Sequence, residues 1–104
     1  MTNMLGRPTK SLIRQNILKI LNQIEKAHGY ELYNYYLKIF GKVHIRSIYY
    51  NLKKGVDLKE IIIDEIKTEP GNYSWGSNAE RIYYSLGPNA TVRESKKVKE
   101  FFSK

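Results

Sequence analysis

The stretch VHIRSIYYNLKKG (residues 43–55) decides the fold that the sequence predicts. With successive residues about 100° apart around a helix axis, its apolar side chains share one side, which we expect to face a core. These side chains are Ile45, Ile48, Tyr49 and Leu52. The other side carries Arg46, Ser47, Tyr50, Asn51, Lys53 and Lys54 and no acidic residue. The pattern predicts an amphipathic helix over residues 44–55 with a cationic outer side.

The segments before this helix predict two more helices. Isoleucines at spacings of four and three follow Ser11, a favourable helix cap, and His28-Gly29 is expected to end this first helix. A second apolar pattern runs over residues 30–40 and stops at Gly41. Because only a short turn with a glycine separates it from the next helix, the two are expected to form a helix-turn-helix.

Beyond residue 55 the apolar period changes. EIIIDEIKTE (60–69) is rich in β-branched residues, and RIYYSL (81–86) alternates apolar and polar residues, so both are expected to be strands. Turn formers crowd PGNYSWGSN (70–78), which predicts a hairpin, the wing. A capping box starts a C-terminal helix over residues 91–104. The order predicts an α+β fold, a winged helix-turn-helix with three helices, a two-stranded β-wing and a C-terminal helix.

The length and charge of the chain bound its class. At 104 residues we expect a single domain over residues 1–104, opened by a basic arm over residues 1–9. The formal net charge is +8, and residues 7–54 hold ten basic and two acidic residues. Such a charge favours a polyanionic partner, with nucleic acid first, an anionic membrane surface second, and solubility alone as the alternative. Double-stranded DNA is therefore the expected partner.

Several classes of protein are disfavoured. The absence of cysteine excludes thiolate zinc sites, disulfides and cysteine nucleophiles. No apolar leader and no apolar window of about 18 residues is present, so a cytoplasmic location without a membrane is expected. No metal-ligand spacing, nucleophile–base pair or phosphate-binding loop is found, so neither a metal, a cofactor nor enzymatic activity is expected. The abundance of Ile, Lys, Glu and Tyr is typical of a thermophilic source.

Polar residue types on the predicted outer side suit DNA recognition. Arg46 suits guanine or a phosphate, Asn51 suits bidentate pairing with adenine, and Ser47 permits close approach. His44 is a poor helix cap and is expected to contact a phosphate instead. The complete set of expected DNA contacts is Lys10, Arg14, Lys42, His44, Arg46, Ser47, Tyr50, Asn51, Lys53, Lys54, Tyr73, Trp75 and Arg81. An ordinary solvated helix face is the alternative.

The wing and the two ends of the chain have alternatives of their own. Tyr73 and Trp75 in the wing loop would contact the DNA backbone or a partner protein, or Trp75 would cover the sheet, and Arg81 is the best cation of the wing. GRPTK (6–10) is typical of a minor-groove arm or of a disordered tail. The apolar stripe expected to support a dimer is Val98, Phe101 and Phe102.

Three segments together resemble the PadR-like branch of winged helix-turn-helix transcription regulators. They are HGYELYNYY (28–36), RSIYYNLKKG (46–55) and RIYYSLGPNA (81–90). The resemblance implies DNA binding through the third helix and a dimer built with C-terminal helices. Where this family usually follows the glycine with Leu-Ile, the chain has VDLKEI (56–61) instead. No effector-binding domain is expected, so a small-molecule effector is unknown.

Two functions are expected from different classes. The first is a DNA-binding transcriptional regulator, a homodimer that inserts the helix over residues 44–55 into the major groove. The alternative is a winged helix that serves as a protein-interaction module within a transcription or replication assembly. Its contact surface would be Tyr73, Trp75, Phe101 and Phe102.

Overall fold

Four helices and three strands make up the described part of the chain. A computed structural model describes residues 11–73 and 76–103, and side chains within residues 11–68 and 81–103. Within them the elements are α1 (Leu12–Ile24), β1 (Lys26–His28), α2 (Gly29–Ile39), α3 (Ile45–Asp57), β2 (Ile61–Tyr73), β3 (Gly76–Leu86) and α4 (Lys96–Phe102). The α+β class predicted from the sequence is confirmed.

The sheet has one strand more than the sequence predicted. β2 and β3 form the expected antiparallel pair, but β1 adds a third strand, and the order is β1-β3-β2. In this strand Ala27 pairs with Tyr84 and is fully buried. The two-stranded prediction was wrong because β1 is only three residues long and finds its partner more than fifty residues away.

The boundary between α1 and α2 also differs from the prediction. α1 ends at Ile24, since Glu25 adopts φ 68° and its N–H bonds to the carbonyl oxygen of Leu21. His28 therefore does not end a helix; it caps α2. Its Nδ1 accepts from the N–H of Glu31 at 3.3 Å, and the carboxylate of Glu31 accepts from the N–H of His28 at 3.1 Å. This reciprocal pair is a capping box with histidine in the serine position.

Apolar side chains from α1, α2, α3, β2 and α4 meet in the core. Its fully buried large members are Ile17, Ile20, Leu21, Leu32, Ile48, Leu52, Ile61 and Val98. Each such side chain stabilises the fold by about 1.5–3 kcal/mol relative to exposure. In the part of the chain that the structure describes, no helix has the length and hydropathy needed to cross a membrane.

Candidate nucleic-acid interface

A sharp turn leads from α2 into α3. The N–H groups of Phe40 and Gly41 both bond to the carbonyl oxygen of Tyr36, at 2.8 and 3.2 Å, which closes the end of α2. Gly41 has φ 105°, a conformation that residues with a Cβ rarely adopt, so the direction of the turn depends on glycine. His44 is the N-cap of α3, as predicted, and its side chain makes no capping hydrogen bond.

α3 is turned about its axis relative to the prediction. Its buried residues are Ile48, Asn51, Leu52 and Gly55, whereas Ile45 and Tyr49, predicted to face the core, are exposed. At about 100° per residue, the buried side is displaced by roughly 60° from the predicted one. Gly55 permits this orientation, because a Cβ there would lie 2.5 Å from Cδ1 of the buried Ile61. The helix therefore packs on β2 through its glycine.

The exposed side of α3 and the turn before it form a basic and aromatic surface. Its exposed residues are Lys42, His44, Ile45, Arg46, Tyr49, Tyr50, Lys53 and Lys54, and Ser47 lies half-buried at its border. Within the described residues, none of its four Lys and Arg side chains forms an ion pair. The surface, called the α3 surface below, is thus an uncompensated cluster of positive charge. It ends at Asp57, since α3 runs two residues beyond the predicted end and exposes this carboxylate.

Asn51 does not belong to the α3 surface. The prediction that it points outward was wrong, because its side chain is only 4% exposed. Its Nδ2 donates to the carbonyl oxygen of Ser47 at 2.8 Å, one turn earlier. Its Oδ1 is buried without a hydrogen-bond partner in the described part of the chain. The amide is held against its own helix, which removes it from the residues that could meet a base edge.

Arg14 likewise belongs to the interior. It was predicted as a contact to the DNA backbone, but it is 3% exposed, and its Nε donates to Oε1 of Glu60 at 2.8 Å. This ion pair ties α1 to the residue that precedes β2. A guanidinium this deeply buried is a structural partner of Glu60, so the prediction was wrong for this residue.

The predicted wing residues contribute little to the α3 surface. Arg81 is half-buried in the middle of β3, and its NH1 lies 3.1 Å from Nε2 of His28. Lys10 and Trp75, which were predicted to contact DNA, lie outside the described residues, and so does the side chain of Tyr73. Contacts of the wing tip with DNA therefore stay a prediction.

The residues predicted to support a dimer lie against the chain's own helices. Val98 is 1% exposed and belongs to the core, so its predicted place in a dimer interface was wrong. Phe101 and Phe102 are half-buried in an aromatic cluster with Tyr35, with ring centroids 5.0–6.1 Å apart. α4 thereby closes over α1 and α2 in this chain.

Tyr49 joins the α3 surface although periodicity predicted it in the core. Its ring lies over Gly29, the first residue of α2. Burial raises the pKa of the neighbouring Tyr84, and the proximity of Tyr49 raises it further. The missed signal is Gly29 itself, because a glycine opening a helix leaves room for a ring from another element.

The surface offers hydrogen-bond donors and aromatic rings but no ligand set for a metal. Among the side chains of residues 11–68 and 81–103, no three His, Asp or Glu residues are grouped so as to hold an ion. Guanidinium, ammonium and phenol groups bind anions and stack on planar groups. No family model matches the chain, and no curated protein matches it in sequence. The assignment of a function therefore depends on the chemistry of the chain's own residues.

Proposed function

We propose that the chain is a DNA-binding transcriptional regulator with a winged helix-turn-helix architecture, in which α3 enters the major groove. The observation that carries the proposal is the α3 surface, whose four Lys and Arg side chains are exposed and form no ion pair within the described residues. A cluster of uncompensated charge on one helix is the electrostatic footprint expected of a protein that binds phosphates.

The dimensions of α3 suit a groove. It has 13 residues and is therefore about 20 Å long, and the major groove of B-DNA, about 12 Å wide, admits an α-helix. The short turn before α3 leaves its N-terminal half exposed, where recognition helices contact base edges. A homodimer would place two copies of α3 in half-sites one helical turn apart.

Particular roles follow from the exposed residues. Arg46, in the first turn of α3, has the planar fork that pairs bidentately with guanine or a phosphate. Tyr50 lies one turn further along the same exposed side and can pack on a base or sugar. Lys53 and Lys54 suit phosphates as hydrated point charges. Base recognition is thus proposed for Arg46 and Tyr50, without Asn51.

The test is binding to a random-sequence duplex across salt concentrations. Affinity should fall steeply with salt, and the slope should decrease by about 0.9 for each phosphate contact that is removed. Arg46→Gln and Lys54→Gln should each lower both affinity and slope. Lys96→Gln on α4 is the matched control, since it removes one exposed charge outside the α3 surface. A flat salt response shared by all variants would favour the protein-interaction module.

A further inference from the structure

β2 exposes isoleucines at an edge of the sheet. The side chains of Ile62, Ile63 and Ile66 are 41%, 48% and 54% exposed, although all three are large and apolar. In the order β1-β3-β2, the described residues pair with only one edge of β2, the edge next to β3. The other edge offers backbone N–H and C=O groups to a further strand. An edge strand with exposed apolar side chains is the arrangement that β-strand addition uses.

Two of these isoleucines extend the core side of the sheet. Ile63 pairs with Tyr84 and Ile66 pairs with Ile82, and paired residues of antiparallel strands share a face. Tyr84 packs against the core, so the face that holds Ile63 and Ile66 is continuous with it. A register shift at Asp64 keeps both residues on this face. The result is an apolar strip that the four helices of the described residues leave uncovered.

The charges of β2 are complementary to those of a second β2. If two copies pair antiparallel about Ile66, each Ile66 meets its counterpart. A residue before Ile66 in one copy then faces the residue equally far after Ile66 in the other copy. Glu65 of each copy therefore faces Lys67 of the other, which gives two such pairs. Opposite charges placed directly across an antiparallel pair are favourable, and like charges are not. Lys26, which bonds to Glu65 within the chain, adds a second cation beside each pair.

We propose that β2 pairs with β2 of a second copy of this chain, antiparallel and centred on Ile66, to form one six-stranded sheet. The remaining edges are the three-residue β1 strands, so the assembly closes as a dimer with little edge left for further addition. The interface uses neither α4 nor the α3 surface. The proposal therefore does not rest on DNA binding.

A single cysteine tests the register, because the native chain has none. On the two-fold axis, the two Cys residues of the Ile66→Cys variant would face each other with Cα atoms about 4.5–5.5 Å apart, within the range for a disulfide. We expect disulfide-linked dimers under mild oxidation without DNA. Ile62→Cys is the matched control, since its two copies would lie more than about 20 Å apart along the strands.

A charge variant gives a second readout. In sedimentation equilibrium Lys67→Glu should weaken self-association at least tenfold, since it places two carboxylates opposite each other at both pairs, whereas Lys96→Glu should leave it unchanged. Three outcomes would each overturn the proposal. The first is equal cross-linking at positions 62 and 66, the second is a chain that stays monomeric at every concentration, and the third is a dimer whose affinity does not change with Lys67→Glu. These outcomes would leave the salt dependence of DNA binding unaffected, so the two proposals fail separately.

Discussion

The ring of Tyr49 on α3 lies against the α-carbon of Gly29 on α2. A Cβ added at residue 29 would lie 2.7 Å from Cζ and 2.9 Å from Oη of that ring. Real carbon atoms do not approach so closely, so the ring occupies the space that any other residue at position 29 would need. The contact joins the first turn of α2 to the first turns of α3 and sets where Tyr49 stands on the α3 surface.

Gly29→Ala and Tyr49→Ala should therefore be coupled. In the Tyr49→Ala chain, Gly29→Ala should raise the free energy of unfolding by about 0.5 kcal/mol, because alanine favours the helix. In the native chain the displaced ring should cancel or reverse that gain. Urea unfolding of the native chain, the two single variants and the double variant measures the coupling, which we expect to be at least about 0.5 kcal/mol. Strictly additive effects would show that the ring moves away without cost.

Asn51→Ala should leave the DNA sequence preference unchanged. The amide is buried against Ser47, so it has no path to a base edge. The substitution loses packing and the hydrogen bond from Nδ2, but it also removes the buried Oδ1 that has no partner. These effects oppose each other, so stability should change by less than about 1 kcal/mol. Selection of bound duplexes and urea unfolding measure the two effects. A loss of about 1–3 kcal/mol confined to one base pair would instead identify a bidentate contact.

Arg14→Met should lower the stability of the fold, and this effect should not depend on DNA. It leaves the carboxylate of Glu60 without its partner, at a cost of about 3 kcal/mol. Combining Arg14→Met with Glu60→Gln should recover most of that loss, because the carboxylate charge is then gone. Lys19→Met on the same helix is the control and should change stability by about 0.5 kcal/mol or less. Thermal unfolding measures the three variants beside the native chain, and equal effects of Arg14→Met and Lys19→Met would contradict a structural ion pair.

Lys26→Met should raise the pKa of Glu65. A hydrogen bond from Lys26 lowers the pKa of this carboxyl, and its bond to Glu65 raises the pKa of Lys26. The pair therefore stabilises the fold at neutral pH. Its contribution is lost as pH falls through the lowered pKa of Glu65, and again as pH rises through the raised pKa of Lys26. Titration of the Glu65 side chain by NMR measures the shift, and Lys59→Met should leave it in place.

The first three helices were predictable because their apolar spacing is local. α1, α2 and α3 each show it, and the predicted helix over residues 44–55 matches α3 within two residues at its end. The C-terminal helix, predicted over residues 91–104 from a capping box at Thr91, is shorter, because it begins at Lys96 with Ser95 as its N-cap. β1 was not predictable, because in three residues only Ala27 is buried and its pairing depends on the distant Tyr84. Local pattern does not report a pairing between residues so far apart in the chain.

The candidate site was predictable as a helix but not in its orientation. Periodicity placed Ile45 and Tyr49 inside because they are apolar, and Asn51 outside because it is polar. The rotation depends on two glycines in contact with other elements, Gly29 under Tyr49 and Gly55 against Ile61. A helical projection does not contain the close contacts between a helix and its neighbouring elements. These contacts decide which side of an amphipathic helix is buried.

The register shift at Asp64 has a consequence for changes in chain length. Simple alternation from Ile61 would put Glu65 and Lys67 on the core side and turn Ile66 away from it, but the extra residue at position 64 absorbs one step. A deletion of Asp64 should therefore leave the two faces as they are and only straighten the strand. A deletion of Ile62 should exchange the faces for part of the strand and lower the unfolding temperature far more. The bulge is a place where β2 can lose a residue without mispairing its hairpin.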